Sequence, residues 1–304
     1  DERANETLPV RSARGVQHLG TWLMTAVLSQ WKLYERVGAL SKESSLAEED
    51  STRIALEAVV AALSIGEGTV EGVRRVATPS AGALLRARWA PSASWARRVL
   101  GRNVGMGAEH VLPMVMANDY IARARADAEA EPYAVFYVDN HLRPYTGALV
   151  VRKGWRMQDK RARPGITDFY VHDEEGRPLF RLSSPENASL TKWLGPVARS
   201  LANLCGDATR PVLCFDRAGA FPEEMAALRD EDVDFVTYER KPYTLLHKTA
   251  FDQRLDLDGE RLEWTESRMN LGKGRGRLRR IRLLTPAGKQ VNLLGCGSLP
   301  APVL

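Results

Sequence analysis

Two aspartates directly follow short apolar segments, and carboxylates in such positions can hold a metal ion. Asp139 follows Val135-Phe136-Tyr137-Val138, and Asp216 follows Pro211-Val212-Leu213-Cys214-Phe215. Segments of this length and composition predict buried β-strands. A right-handed crossover through an intervening helix would place the second strand parallel to an earlier one. If that earlier strand is the first, both aspartates emerge side by side at the carboxyl ends of adjacent strands, where open α/β sheets bind ligands.

The chemistry open to such a pair is metal-dependent phosphoryl transfer. Carboxylates about 4–5 Å apart on neighbouring strands repel each other, and a divalent cation relieves the repulsion. Oxygen ligands favour Mg²⁺ or Mn²⁺. A pair of such ions can activate a water or a 3′-hydroxyl on one side of a phosphodiester and stabilise the leaving oxygen on the other.

The residues around these aspartates predict an α/β sheet. The turn Asp173-Glu174-Glu175-Gly176 favours a hairpin. Residues 190–204 carry apolar side chains at helical spacing, although Pro196 should kink that helix. Pro222, followed by two glutamates, predicts the start of another helix. The predicted strands are residues 135–138, 148–151, 167–172, 179–182, 211–215 and 234–238.

The preceding part of the chain, residues 15–131, has helical patterns. One helix is expected to begin near Ser51 and Thr52, and another to span residues 111–130 and end before Pro132. The apolar stripe of the first helix is predicted to consist of Leu56, Val59, Val60 and Leu63.

After residue 244 the pattern becomes β-rich again. Asp258-Gly259 predicts a hairpin over residues 255–264, and a second hairpin spans residues 279–294. We therefore expect three regions, which are a helical, DNA-binding region at 1–131, an α/β core at 132–244 and a β-rich segment at 245–304.

Three stretches are rich in cations although the net charge of the chain is only +5. Residues 74–102 hold seven arginines and no acid, residues 152–163 hold six cations, and residues 268–282 hold seven cations interleaved with glycines. Such stretches suit a phosphate backbone, and the alternative is a solvated surface. The predicted DNA contacts are Arg86, Arg97, Arg98, Arg152, Lys153, Lys160, Arg161, Arg217, Arg240, Lys241, Lys273, Arg275 and Arg277.

Other conspicuous residues have plain structural interpretations. His141 is expected to be a turn residue satisfied by backbone rather than a ligand, because metal sites made of oxygen donors rarely need imidazole. Cys214 is expected to be a small buried apolar residue. Trp155 and Trp193 are expected in the core rather than as base-stacking platforms. The segment 272–277 lacks the spacing of a phosphate-binding P-loop, so a flexible basic loop is predicted there.

Composition excludes several classes of protein. The chain has 304 residues, of which 44% are hydrophobic and 27% charged, as in ordinary globular proteins. Its three cysteines have no paired spacing, which excludes a disulfide scaffold, a zinc ribbon and a CxxC redox site. No signal sequence or membrane-spanning segment is evident, so we expect a cytoplasmic protein without a membrane partner.

Four segments carry a family resemblance. They are Phe136-Tyr137-Val138-Asp139-Asn140-His141, Arg152-Lys153-Gly154-Trp155, residues 214–222 (CFDRAGAFP) and residues 236–242 (VTYERKP). In order and spacing they resemble the catalytic core of bacterial insertion-sequence transposases of the DDE type, which have an RNase H-like fold. The resemblance covers roughly residues 130–245 well and the helical region more loosely.

The resemblance implies an enzyme that cleaves and joins DNA at transposon ends with Mg²⁺ or Mn²⁺. It implies that Asp139 and Asp216 are the first two metal-binding acids and that a β-rich insertion follows the fifth core strand. Double-stranded DNA is then the partner, and paired ends usually demand a dimer, although no residue pattern shows an interface.

One feature of that family has no counterpart here. Its third acid is a glutamate on a helix after the insertion, and no helix is predicted after residue 295. Glu239 follows a predicted strand, but the family pattern does not place the ligand there. We therefore expect a fragment with an incomplete metal site that is poorly active alone.

Three alternatives remain at this stage. The first alternative to an active transposase is a transposase-derived protein that binds DNA without cutting it. The second is an RNase H-like nuclease without joining activity, and the third is a phosphohydrolase with Asp139 as its nucleophile. The last is disfavoured because His141 stands where such sites need a second aspartate.

Overall fold

A computed structural model describes most of the chain and divides it into two units, Asp1–Val115 and Met116–Leu304. The described residues are 19–21, 24, 27, 30, 46–77, 91–105, 108–127, 133–206, 210–231, 233–257 and 259–296. The division falls within a helix, Ala108–Asp127. The first unit is helical where it is described, and the second is dominated by one sheet.

In the first unit, small side chains form the core. The helices are α1 (Leu46–Ser64), α2 (Val73–Val76), α3 (Ala93–Gly105) and the start of α4 (Ala108–Asp127), and a 3₁₀ turn, Val70–Gly72, precedes α2. Alanines of α1 and α3 are almost completely buried against each other, and small side chains let helices approach closely. The buried cluster is Ala55, Ala58, Ala61, Ala62, Val73, Val76, Ala93, Ala96 and Val99.

This packing corrects two sequence predictions about α1. Ser51 and Thr52 lie inside the helix rather than at its start. Thr52 is buried, and its Oγ1 accepts a hydrogen bond of 3.2 Å from the Asn103 amide. The predicted stripe is not the core face, since Leu63 is 52% exposed. Its other members, Leu56, Val59 and Val60, are only partly buried, because the alanine face packs against α3.

Where it is described, the second unit contains ten strands and, after α4, two helices. The strands are β1 (Tyr133–Pro144), β2 (Lys153–Arg156), β3 (Arg161–Asp173), β4 (Pro178–Ser184), β5 (Arg210–Phe215), β6 (Asp234–Tyr238), β7 (Gln253–Leu257), β8 (Glu260–Asn270), β9 (Arg277–Leu284) and β10 (Gln290–Gly295). The helices are α5 (Thr191–Cys205) and α6 (Pro222–Asp230), and a 3₁₀ turn spans Lys248–Ala250.

These strands form a single mixed sheet. Its order is β2-β3-β1-β5-β6-β10-β9-β8-β7, and β4 pairs with β3. The pairs β1–β5 and β5–β6 are parallel, as the crossover prediction requires, and the other pairs are antiparallel. The strands after residue 250 continue the same sheet, because β10 pairs with β6.

Helices cover one face of the central strands. The apolar face of α5, with Leu194, Val197 and Leu201 buried, contacts β5, and α6 contacts β6. On β1, Phe136 and Val138 are buried, whereas Tyr137 between them is 49% exposed. Successive side chains of a strand point to opposite faces, so the face that carries Tyr137 is open to solvent.

Two predicted strand assignments are wrong. Residues 148–151 form no strand, and Val150 is fully exposed, because the strand that pairs with β3 begins at Lys153. The first strand does not end before Asp139 but continues to Pro144 through its pairing with β3. The other predicted strands, both carboxyl-terminal hairpins and the helices that begin near residues 190 and 222 are confirmed.

No helix in the described part of the chain has both the length and the apolar character needed to cross a bilayer.

A hydrogen bond from the phenol of Tyr120 fixes the end of α4 to β3. The Tyr120 hydroxyl donates to Asp173 Oδ2 at 2.6 Å, and the Arg177 guanidinium lies 5.3 Å from the Tyr120 ring centre. Burial and the Asp173 hydrogen bond raise the pKa of Tyr120 to about 12. Burial alone would raise the pKa of the Asp173 carboxyl, but hydrogen bonds from Tyr120 and Arg177 outweigh it and lower that pKa.

We expect Tyr120→Phe to lower the free energy of unfolding by about 1–2 kcal/mol at neutral pH, because it removes a hydrogen bond to a charged group. The phenol titrates at 10.0 when unperturbed and near 12 in the folded chain. Its contribution is therefore complete below about pH 10 and is lost as the pH rises through 12. Urea unfolding at pH 8 and pH 11 measures both effects. Equal stability of the two proteins at pH 8 would contradict the assignment.

Candidate functional site

The register of β1 and β5 places Asp139 and Asp216 next to each other. The last parallel pair between these strands is Val138 with Phe215, and the two aspartates are the following residues. Neighbouring strands lie about 4.8 Å apart, and residues in parallel register point to the same face. Both side chains are exposed. The structure thus brings together the two acids on which the sequence argument depends.

Each carboxylate keeps one oxygen available for a ligand. Asp139 Oδ1 accepts a hydrogen bond of 2.8 Å from the Asn140 amide, and Asp216 Oδ1 accepts one of 2.8 Å from the Ala218 amide. Among the residues that the structure describes, neither Oδ2 atom accepts a hydrogen bond. Two exposed carboxylate oxygens on adjacent strands are a donor set that fits Mg²⁺ or Mn²⁺, which bind one or two carboxylates and complete their shell with water or phosphate oxygens.

Contacts from β6 hold the loop that begins at Asp216. The backbone carbonyl of Asp216 accepts hydrogen bonds from the Gly219 amide at 3.1 Å and from Thr237 Oγ1 at 3.3 Å. Arg240 lies with its guanidinium 3.9 Å from the Phe221 ring centre and donates to the Arg217 carbonyl at 3.4 Å. The loop is therefore fixed at both of its ends.

Gly219 lets this loop pack closely on the sheet. A Cβ at this position would lie 2.8 Å from Phe215 Cδ2 and 2.9 Å from Leu194 Cδ1. Both neighbours are buried core side chains, so neither can move away easily.

Side chains of two neighbouring strands engage the Glu239 carboxylate. Its carboxylate accepts a hydrogen bond of 2.6 Å from Arg280 and another of 2.6 Å from the Asn292 amide, and its side chain is 10% exposed. Both oxygens are thus engaged with β9 and β10. Within the described ranges, no group of three or more His, Cys, Asp or Glu side chains could hold a metal ion.

The sequence analysis missed a buried acid near Asp139. Asp168 on β3 is completely buried, accepts a hydrogen bond of 2.6 Å from Ser183 and pairs with Arg143 at 3.1 Å. It lies opposite His141, which is in β1 rather than in a turn. Charge partners and burial give Asp168 a structural role. A lone Asp inside an apolar strand is the only signal that could have identified it.

Cys214 is half-buried in β5 rather than fully buried as expected. Burial raises the pKa of its thiol to about 11, so the thiol is protonated at neutral pH. Its small side chain lies opposite Tyr137 in the sheet.

Most of the predicted DNA contacts are exposed, and two of them form ion pairs. Arg275 lies in the glycine-rich loop and pairs with Glu223 of α6 at 2.9 Å, and Arg97 pairs with Glu71. Arg86 lies outside the described residues. The exposed members are Arg97, Arg98, Arg152, Lys153, Lys160, Arg161, Arg217, Arg240, Lys241, Lys273 and Arg277.

The two tryptophans expected in the core have different environments. Trp193 is half-buried and stacks on Phe169 at a ring-centre distance of 5.0 Å. Trp155 is 61% exposed, so its predicted place in the core is wrong. It lies on β2, the last strand at one edge of the sheet.

Comparisons with known proteins include a distant structural likeness. No protein-family model matches the chain, and no curated protein matches it. Among solved structures, a cryo-EM structure of a piggyBac transposase synaptic complex with hairpin DNA is similar at a TM-score of 0.41 and 13% identity. The similarity covers 91% of this chain, and the chain spans 63% of the length of that protein.

We expect Gly219→Ala to lower the free energy of unfolding by about 1–3 kcal/mol, because the added methyl group overpacks a rigid site. Gly195→Ala in α5 is the matched control. There a Cβ meets only Arg199 Nη1 at 3.4 Å, and Ala in a helix interior is favoured over Gly by about 0.5–1 kcal/mol. Denaturant unfolding measures both, and equal effects of the two substitutions would contradict the packing argument.

Proposed function

We propose that this chain is a DNA transposase of the DDE type, or a fragment of one, which cleaves phosphodiester bonds at transposon ends and joins the resulting strands. The observation that carries the proposal is the β1–β5 register, which places Asp139 and Asp216 side by side on adjacent strands, with both side chains exposed to solvent. The sheet order supports an RNase H-like core, since antiparallel strands β4, β3 and β1 precede the two parallel strands β5 and β6.

In this proposal Asp139 and Asp216 hold Mg²⁺ or Mn²⁺ through their Oδ2 atoms. The bound ion would supply charge neutralisation at the scissile phosphate and lower the pKa of an attacking water or 3′-hydroxyl. The Asn140 and Ala218 amides each hold one oxygen of a carboxylate, which leaves the second oxygen of each, on adjacent strands, for a cation. No histidine base is needed for this chemistry.

Cations near the loop after Asp216 would position the DNA backbone. Arg217, Arg240 and Lys241 are exposed, and Arg240 is held in place by Phe221 and by the Arg217 carbonyl. A guanidinium fixed in this way loses little conformational entropy when it binds a phosphate. These contacts are independent of sequence, so they would place double-stranded DNA without selecting its bases.

A second candidate is a transposase-derived protein that binds DNA without cutting it. It is favoured by the state of Glu239, which is held by Arg280 and Asn292, and by the lack of any three-acid group in the described part of the chain. A nuclease that hydrolyses DNA but does not join strands would use the same two aspartates.

The proposal predicts that Asp139→Asn or Asp216→Asn lowers the affinity for Mn²⁺ at least about tenfold, which is about 1.4 kcal/mol. Free Mn²⁺ is measured by electron paramagnetic resonance in the presence of duplex DNA. Asp256→Asn is the matched control, since Asp256 is an exposed strand residue on β7, at the opposite edge of the sheet. Unchanged Mn²⁺ binding in both site variants would overturn the metal assignment.

Plasmid nicking and strand transfer separate the candidate functions. We expect slow Mn²⁺-dependent nicking by the 304-residue chain that falls to background in Asp139→Asn and Asp216→Asn and persists in Glu239→Gln. Joining of an oligonucleotide with a free 3′-hydroxyl distinguishes a transposase from a nuclease. Duplex binding without any nicking would favour the binding protein, and efficient strand transfer that is lost in Asp216→Asn would refute the incomplete site.

A further inference from the structure

The hairpin formed by β2 and the start of β3 presents an uncovered tryptophan to solvent. We call residues 152–164 the Trp155 hairpin. Within it, Gly154 is buried, and a Cβ there would lie 2.4 Å from Asn187 Oδ1, so this position faces the protein. Lys153 and Trp155, on either side of it, therefore face outward. The residue opposite Trp155 in the register is Ala162, which is too small to cover an indole.

Hydrogen bonds fix the conformation of the Trp155 hairpin. The Asp159 carboxylate in its turn accepts hydrogen bonds from Arg156 at 3.0 Å and from Arg163 at 3.2 Å. The hydrogen bond from Arg156, together with that from Arg163, lowers the pKa of the Asp159 carboxyl, so this ion pair persists at neutral pH. The Asn187 amide donates to the Lys153 carbonyl at 3.4 Å and ties β2 to the segment before α5.

The surface around Trp155 is cationic. Asp159 is the only acid between residues 145 and 165, and Arg156 and Arg163 already neutralise it. Four further cations are exposed, and none of them has an ion pair among the described residues. They are Arg152, Lys153, Lys160 and Arg161.

We propose that the Trp155 hairpin binds single-stranded nucleic acid, with the indole stacked on the face of an unpaired base and the four cations on the flanking phosphates. Bases within a duplex have both faces covered by their neighbours, whereas an unpaired base offers a face to an aromatic ring. Cations around an aromatic platform are the combination that single-strand binding surfaces use. This site goes beyond the proposed function because it needs neither the aspartate pair nor a metal.

The Trp155 hairpin lies within reach of a DNA strand that is bound at Asp139 and Asp216. In the β1–β3 register Asp139 is opposite Tyr170, and in the β2–β3 register Trp155 is opposite Ala162. These two positions on β3 are eight residue steps apart, which span at most about 26 Å. That length corresponds to about eight nucleotides at 3.4 Å each. A DNA strand that is unpaired beside a cleavage site could therefore occupy both places.

The experiment measures binding of the full 304-residue chain to a fluorescein-labelled oligothymidylate of about twelve nucleotides by anisotropy, without metal. We expect Trp155→Ala to weaken binding about 5- to 100-fold and Trp155→Phe to restore most of it, because phenylalanine also stacks. Binding to a duplex of the same length should change less than about twofold in Trp155→Ala, since the cations remain.

Leu257→Ala is the matched control. Leu257 is 53% exposed on β7, at the opposite edge of the sheet, so its truncation removes a similar exposed apolar side chain without touching the hairpin. Photocrosslinking of a bromodeoxyuridine-containing strand, mapped by mass spectrometry, should place the crosslink at Trp155. A crosslink elsewhere, or equal binding of wild type and Trp155→Ala to the single strand, would overturn the proposal.

Further binding experiments distinguish single-stranded nucleic acid from other ligands and test the hairpin site independently of the proposed function. Anionic phosphatidylserine vesicles test for a membrane partner, and an acidic peptide tests for a protein partner. Trp155-dependent binding to either one, without binding to the single strand, would refute a nucleic-acid site. Asp139→Asn and Asp216→Asn should bind the oligothymidylate as the wild type does. If the wild-type chain binds the single strand through Trp155 but does not nick DNA, the proposed function fails and the hairpin site stands. If it nicks DNA but does not bind the single strand through Trp155, the hairpin site fails and the proposed function stands.

Discussion

The parallel pairing of β1 with β5 is the constraint on which the candidate site depends. It places two carboxylates of like charge about one strand spacing apart, which costs electrostatic free energy unless a cation or solvent compensates. The chain keeps both side chains exposed and gives each carboxylate one backbone amide, at Asn140 and Ala218. Local hydrogen bonds therefore orient the two acids without neutralising them, and one oxygen of each accepts no hydrogen bond from the described residues.

The other acids near these strands are arranged differently. Asp168 is buried with Arg143 and Ser183, and Glu239 is held by Arg280 and Asn292. A buried carboxylate needs such partners because an unpaired charge in the interior is costly. Asp168 and Glu239 therefore have structural roles, whereas Asp139 and Asp216 each keep one oxygen with which to bind a ligand.

Under the two proposals, two exposed features of one continuous sheet would bind different forms of nucleic acid. Near β5 and β6, fixed cations such as Arg240 suit the backbone of a duplex. At the β2 edge, Trp155 adds a stacking face to a cationic hairpin. The strands between them form a rigid support, since β3 pairs with both β1 and β2. An enzyme that both cuts and separates DNA strands would need surfaces of both kinds.

Local pattern in the sequence determined most elements, including β5, β6, the two carboxyl-terminal hairpins and the position of each aspartate after an apolar run. The spacing of apolar residues predicts which nearby residues share one face of a helix or strand, and turn residues predict where a strand ends. Only the tertiary structure decided that β1 continues past Asp139, that β10 joins β6, that Glu239 is engaged and that Trp155 is exposed. Each of these depends on a partner far away in the chain, and no local spacing encodes which partner a strand edge or side chain will meet.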